Sequence, residues 1–288
     1  MRYKLFAGAI SLLFLISIGA GAISISENNE NTQPLLMDDP VPTWSEGNSW
    51  TFSIDDFKVD YEYGNLKIRL NGKIDNFKWE VRSSSGSEYI VDISGKLTAS
   101  LLDIYLPMTS SVLHIQGIIN PTFTKIDGNI IFTKSDLEIK DVTAKIRGIA
   151  IAQIDPIPLY LPIPFKINLD TVFSTVLPIF DFPLNDHKFW NMPAIDITAD
   201  MEAGGIFGLF KYPMTMYVSY PWIPLAFHCL PKASITVAAG TFDAYEITSL
   251  LFSLFEYYYA PTVGNIVKLD ATMPNGEIHG ELISYNFP

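Results

Sequence analysis

Segment after segment of this chain alternates apolar and polar residues, and that spacing leaves little room for any fold but a sheet. Leu66, Ile68 and Leu70 alternate with Lys67, Arg69 and Asn71. Phe77, Trp79 and Val81 restart the pattern, and Tyr89, Val91 and Ile93 resume it after Ser83-Ser84-Ser85-Gly86-Ser87. Leu137 and Ile139, Ala144 and Ile146, and then Ile195, Ile197, Ala199 and Met201 obey the same rule. Period-two spacing sends every second side chain to one face of a strand, so each segment has a dry face and a wet face. No stretch sustains the i, i+3, i+4, i+7 spacing of an amphipathic helix. The pattern predicts an all-β protein: a single curved antiparallel sheet or half-barrel.

Turn chemistry predicts where the strands reverse. Asn71-Gly72 and Asp127-Gly128 read as hairpin loops. The closing pair is read over residues 239–247 and 257–268: Gly240 supplies a backbone angle closed to other residues, and Pro261 and Gly264-Asn265 supply two turns within the second stretch, before Ile266 resumes. Trp44 and Trp50 flank a Gly47-Asn48 turn and read as core anchors for the first strand. Residues 155–183 break the rule. Pro156, Pro158, Pro162, Pro164, Pro178 and Pro183 stand there among Ile, Leu, Tyr and Phe, which bars interior strands and long helices. That segment is expected as edge or extended chain, a proline-rich apolar cover over one face of the sheet.

The N-terminus sets the destination. A basic start at Arg2 and Lys4, an apolar run over residues 5–22 and Ala20-Gly21-Ala22 describe a secretory signal cleaved after Ala22. An uncleaved anchor is the alternative, because the run approaches the ~20 residues that span a bilayer. Residues 23–42, polar and acidic, read as a disordered linker, and residues 43–288 as a single β-rich domain. Past Ala22 the chain keeps 17 basic against 31 acidic residues. That balance argues against nucleic acid and against anionic headgroups as electrostatic partners. Cys229 is alone, which excludes an internal disulfide, and its apolar neighbours Phe227 and Leu230 mark it as a core residue.

No catalytic constellation emerges. His114, His187, His228 and His279 are dispersed, with no H-E-x-x-H pair for a metal, no G-x-S-x-G elbow and no phosphate-binding loop. Asp196, Asp200 and Glu202 share a strand face, but a straight strand is a poor cage for a hard cation. The chain is expected to be no enzyme and to need no cofactor. What stands out is apolar bulk in a chain with only 17% charged residues. Phe207, Phe210, Tyr217, Trp222, Phe252 and Phe255 are the candidate lining of an apolar binding face. The expected occupant is a lipid-like or other apolar small molecule. The alternative is an envelope protein that meets this surface as a structural or adhesive partner.

The wording Ala239-Gly240-Thr241-Phe242-Asp243-Ala244-Tyr245, answered by Tyr258-Tyr259-Ala260-Pro261-Thr262-Val263-Gly264-Asn265-Ile266-Val267-Lys268, resembles an exported prokaryotic group of domains of unknown function related to the TapB-like proteins. Phe182-Pro183-Leu184 ahead of Trp190, and the Trp44, Gly47, Trp50 opening, look like the same group. The resemblance covers mainly residues 180–270. It implies a half-barrel similar to that of the LolA and LppX lipoprotein carriers, with an apolar concave face. Ala260 in place of serine and Asn185-Asp186-His187 in place of a glycine-bearing turn depart from the pattern, and no catalytic position carries over.

Overall fold

A computed structural model describes residues 38–288 except 64, 108–111, 179, 193–194, 206–209, 221–224, 251–254 and 274–275. The signal or anchor segment and most of the linker lie outside the described residues. Within them the chain is nearly all strand. The first half supplies β1 (Ser49–Tyr63), β2 (Leu66–Ser83), β3 (Glu88–Pro107), β4 (Val112–Ile119), β5 (Lys125–Thr133), β6 (Ile139–Ile154) and β7 (Ile157–Leu177). The second supplies β8 (Phe189–Met192), β9 (Ile195–Gly205), β10 (Phe210–Tyr220), β11 (Leu225–Cys229), β12 (Ala233–Val237), β13 (Gly240–Ser249), β14 (Phe255–Ala260), β15 (Asn265–Met273) and β16 (Gly276–Asn286).

They form one antiparallel sheet in the order β10-β9-β7-β6-β4-β3-β2-β1-β16-β15-β14-β13-β11-β8. The sheet curves without closing into a barrel. β4 and β5 share one position in it. β4 pairs with the far half of β3 and β5 with the near half, a 3-10 turn at Pro121–Phe123 dividing them. β11 and β12 divide the length of β13 in the same way.

Two expected hairpins are strand interiors. Asn71-Gly72 lies inside β2, where Asn71 faces Lys58 on one side and Leu101 on the other. Asp127-Gly128 lies inside β5, between Ser94-Ile93 of β3 and Lys145-Ala144 of β6. These glycines mark close approach of neighbouring backbones. A Cβ at Gly72 would fall 2.2 Å from the carbonyl oxygen of Thr98, and one at Gly128 would fall 2.1 Å from that of Thr143.

The apparent restart at Phe77 has another cause. Buried residues occupy even positions in Trp50, Phe52 and Ile54, then odd ones in Phe57 and Val59. β2 changes parity likewise, from the Leu66, Ile68, Leu70 set to Ile74 and then Phe77, Trp79 and Val81. An odd step in a strand throws side chains to the wrong face unless an extra residue is accommodated. Register shifts at Ile54/Phe57 and Asp75/Lys78, with Asn76 at φ 51, accommodate it. Bulges at matching heights on adjacent strands bend the sheet.

The proline-rich segment joins the sheet instead of lying across it: 157–177 is β7, paired along its length with β6. The linker also ends sooner than expected. Asp39 and Leu184 exchange backbone hydrogen bonds of 2.8 and 2.9 Å, so the ordered chain includes residues 38–42. The closing residues form antiparallel β13, β14 and β15 in succession, with Gly240 at φ 140 and Gly264 at φ 65.

Candidate functional site

The buried residues make one cluster drawn from both halves of the sheet, so the curl encloses its apolar face on the concave side. Trp44 joins the halves. Its ring lies 5.3 Å from Tyr89 and 5.2 Å from Phe132, and its Nε1–H donates to the Gly264 carbonyl at 2.9 Å. Trp50 donates to the Val263 carbonyl at 2.8 Å. Phe180 packs 4.9 Å from Tyr259.

Across the strands this face is apolar row by row. Trp50, Trp79, Ile93, Gly128, Ala144 and Leu169 stand in register, and Met201 and Met214 extend the row at the level of the backbone. A parallel row runs Leu102, Gly117, Ala152, Leu161. It begins buried, with Leu102 at 8% and Ala152 at 0%, and ends open, with Leu161 at 42%. Leu159, on the same side of β7, is 62% exposed. The dry face of the sheet therefore continues past the filled core to an uncovered margin.

That margin is also a free edge. β9 pairs with β7 only from Phe165 to Phe173, so among the described residues Ile157–Pro164 is held by β6 alone. Pro158, Pro162 and Pro164 occupy the alternate positions that point away from β6. Proline has no N–H, so Tyr160 carries the one outward donor along residues 158–164. An added strand would find outward carbonyls here but only one N–H donor.

The predicted lining divides. Phe207, Trp222 and Phe252 lie outside the described residues. Phe210 and Tyr217 are both in β10, opposite Gly205 and Thr198 in backbone register. Phe255 is buried in the core cluster, opposite Ala271. Leu159 and Leu161 were missed because their prolines read as a cover, although that uncharged run was the available signal.

Polar groups buried near the core are structural clamps. Asp39 accepts from the Tyr245 hydroxyl at 2.6 Å and sits 2.5 Å from Lys232 Nζ. Burial first, and then Asp39, pushes the Tyr245 hydroxyl upward. Lys188 Nζ donates to the Asp181 and Pro183 carbonyls at 2.5 and 2.9 Å and lies 3.3 Å from the Asp181 carboxylate. Burial raises that carboxyl against the pull of Lys188. Cys229 is fully buried, and burial pushes its thiol up to about 12, which leaves no thiolate for chemistry. At the end of the sheet His114 Nε2 lies 2.8 Å from Asp103 and Nδ1 2.8 Å from Asp155, with Tyr105 stacked at 4.2 Å. Burial works against the charged ring, but the two carboxylates prevail and hold it above its ordinary value. Among the described residues no group of three or more His, Cys, Asp or Glu is placed to hold a metal ion, and no helix is long and apolar enough to cross a membrane.

No family model, curated protein or solved structure matches the chain. The functional reading therefore rests on the geometry of the concave face.

Proposed function

We propose that this chain is an exported, non-enzymatic binding protein that holds a lipid-like or other apolar ligand against the open margin of its concave face. The observation that carries this reading is the apolar row that leaves the core at Ala152 and continues uncovered to Leu161 and Leu159. Burying such surface recovers about 25 cal/mol per Å². An acyl or isoprenoid chain needs no hydrogen bonds, which suits an edge that prolines have stripped of donors.

Native mass spectrometry of the protein purified from its own envelope, followed by organic extraction, tests the reading. A stoichiometric lipid adduct is expected, and Leu159→Asp with Leu161→Asp abolishes it while the unfolding midpoint holds. Ligand-free protein present only as a defined oligomer would replace this reading with a structural envelope component.

A further inference from the structure

Net charge hides a local arrangement on the other, convex face. Lys125 of β5, Arg147 of β6 and Lys166 of β7 stand directly opposite one another. In the next row Lys145 stands between Asp127 and Asn168. Asp127 pairs with both Lys125 and Arg147, at 2.5 and 2.6 Å. On β5, β6 and β7 these two rows hold four basic residues against one acidic one, with Asp170 in the row beyond, in a chain of net charge −12. Like charges directly opposite in a sheet are destabilising; Asp127 offsets part of this, and the excess of positive charge that remains fits a surface that meets an external anion.

Between this row and the end of the sheet the convex face turns apolar. Ile149 faces Pro164, Ile151 faces Pro162, and Ile118 extends that second row, 48% exposed. Tyr160 is 60% exposed on this face, while Leu159 and Leu161 are exposed on the concave one. Residues 156–165 contain no charge. An edge apolar on both sides, poor in donors and bordered by cations suits a bilayer boundary better than a protein strand, which would demand backbone partners.

We infer that the free edge of β7 docks on a lipid bilayer bearing anionic phosphate headgroups, with Leu159, Tyr160 and Leu161 in the headgroup–acyl boundary and Lys125, Arg147 and Lys166 on the phosphates. The edge lies along the membrane plane. End-on insertion would carry Asp155, His114 and Asp103 into the acyl region, because they cluster at the end of the sheet. From Pro158 to Lys166 the strip is about 26 Å long at ~3.3 Å per residue. Basic residues at its margin reach phosphates while their stems stay on apolar ground.

Cys229 is buried, so a thiol placed at Tyr160→Cys in the full exported chain takes an environment-sensitive dye selectively, with Thr241→Cys on exposed β13 as the remote control. The dye reports locally whether or not the N-terminal segment is retained. On phosphatidylglycerol–phosphatidylcholine vesicles at low salt, the label at 160 brightens and shifts to the blue, and the label at 241 does not. Lys125→Gln, Arg147→Gln and Lys166→Gln together lower the apparent affinity on the order of 100-fold, from about fivefold per charge. No response at 160, equal responses at 160 and 241, or a response unmoved by the triple variant would overturn the proposal. Its fate is separable from that of the ligand reading. Extracted lipid without vesicle response leaves the carrier and removes the docking edge, whereas vesicle response without extracted lipid does the reverse.

Discussion

Two buried tryptophans in similar rings of aromatic neighbours differ in one atom's surroundings, and that difference is measurable. Trp44 donates from Nε1 to the Gly264 carbonyl, whereas the Nε1 of Trp79 is buried with no partner. Both rings are almost wholly inaccessible, at 2% and 1%. Trp→Phe removes roughly 40 Å³ at either site, which at ~24 cal/mol per Å³ costs about 1 kcal/mol. At Trp44 the change also deletes a hydrogen bond and leaves the Gly264 carbonyl unpaired, which costs about 1–3 kcal/mol. Trp44→Phe should therefore cost about 2–4 kcal/mol by these terms. At Trp79 the same change removes a buried donor that already lacks an acceptor. Relief of about 1–3 kcal/mol matches or exceeds the cavity cost, so Trp79→Phe should range from neutral to about 2 kcal/mol stabilising. Urea unfolding of both variants, with the slope of the transition checked for constancy, measures the difference. Equal losses would show that ring volume alone decides, and would refute the role given to the Trp44–Gly264 bond in joining the two halves of the sheet.

Lys188→Met should cost about 3 kcal/mol, because it leaves the mostly buried Asp181 carboxylate uncompensated; adding Asp181→Asn should recover over half, measured by urea midpoint. His114 is held above its ordinary value, so its clamp on Asp103 and Asp155 is fully present below about pH 6.5 and fades as pH rises through the raised value. His114→Gln should thus lower the midpoint at pH 5.5 by up to about 1 kcal/mol, Asp155 being exposed, and leave it unchanged at pH 9; an equal loss at both values would refute the clamp. Gly72→Ala should prevent folding or cost over ~3 kcal/mol by forcing backbone movement at Thr98. A loss of only ~1 kcal/mol by thermal unfolding would restore the hairpin-loop reading.

What the sequence disclosed, and what it hid, divides along the range of the interactions involved. Alternation is local, and it announced the strands and their dry faces. Asn71-Gly72 and Asp127-Gly128 misled because the same dipeptide serves a tight loop or a close backbone crossing, and Thr98 or Thr143, which decides between them, is more than ten residues away. The parity change between Leu70 and Phe77 was visible, but a turn and a bulge both absorb an odd step, and only pairing with β1 and β3 selects the bulge. Prolines at 158, 162 and 164 correctly signalled an edge. That the edge belongs to the sheet itself depends on Ile149, Ile151 and Gln153 of β6 lying opposite.

The candidate site was harder to read for a related reason. Aromatic bulk was the guide to a binding face, yet large rings are the side chains a curved sheet most readily uses to fill its own interior. Trp44, Trp50, Tyr259 and Phe255 are consumed that way. The surface left open is aliphatic, at Leu159 and Leu161, where β9 stops at Gly205 and nothing described covers the end of β7. Charge deceived similarly. A total of −12 argues against an anionic partner, while Lys125, Arg147 and Lys166 gather only through strand register. A sheet converts separations of about twenty residues into neighbours ~5 Å apart. Composition averages over that conversion, so in a protein of this class the surface chemistry has to be read along the rows that cross the strands.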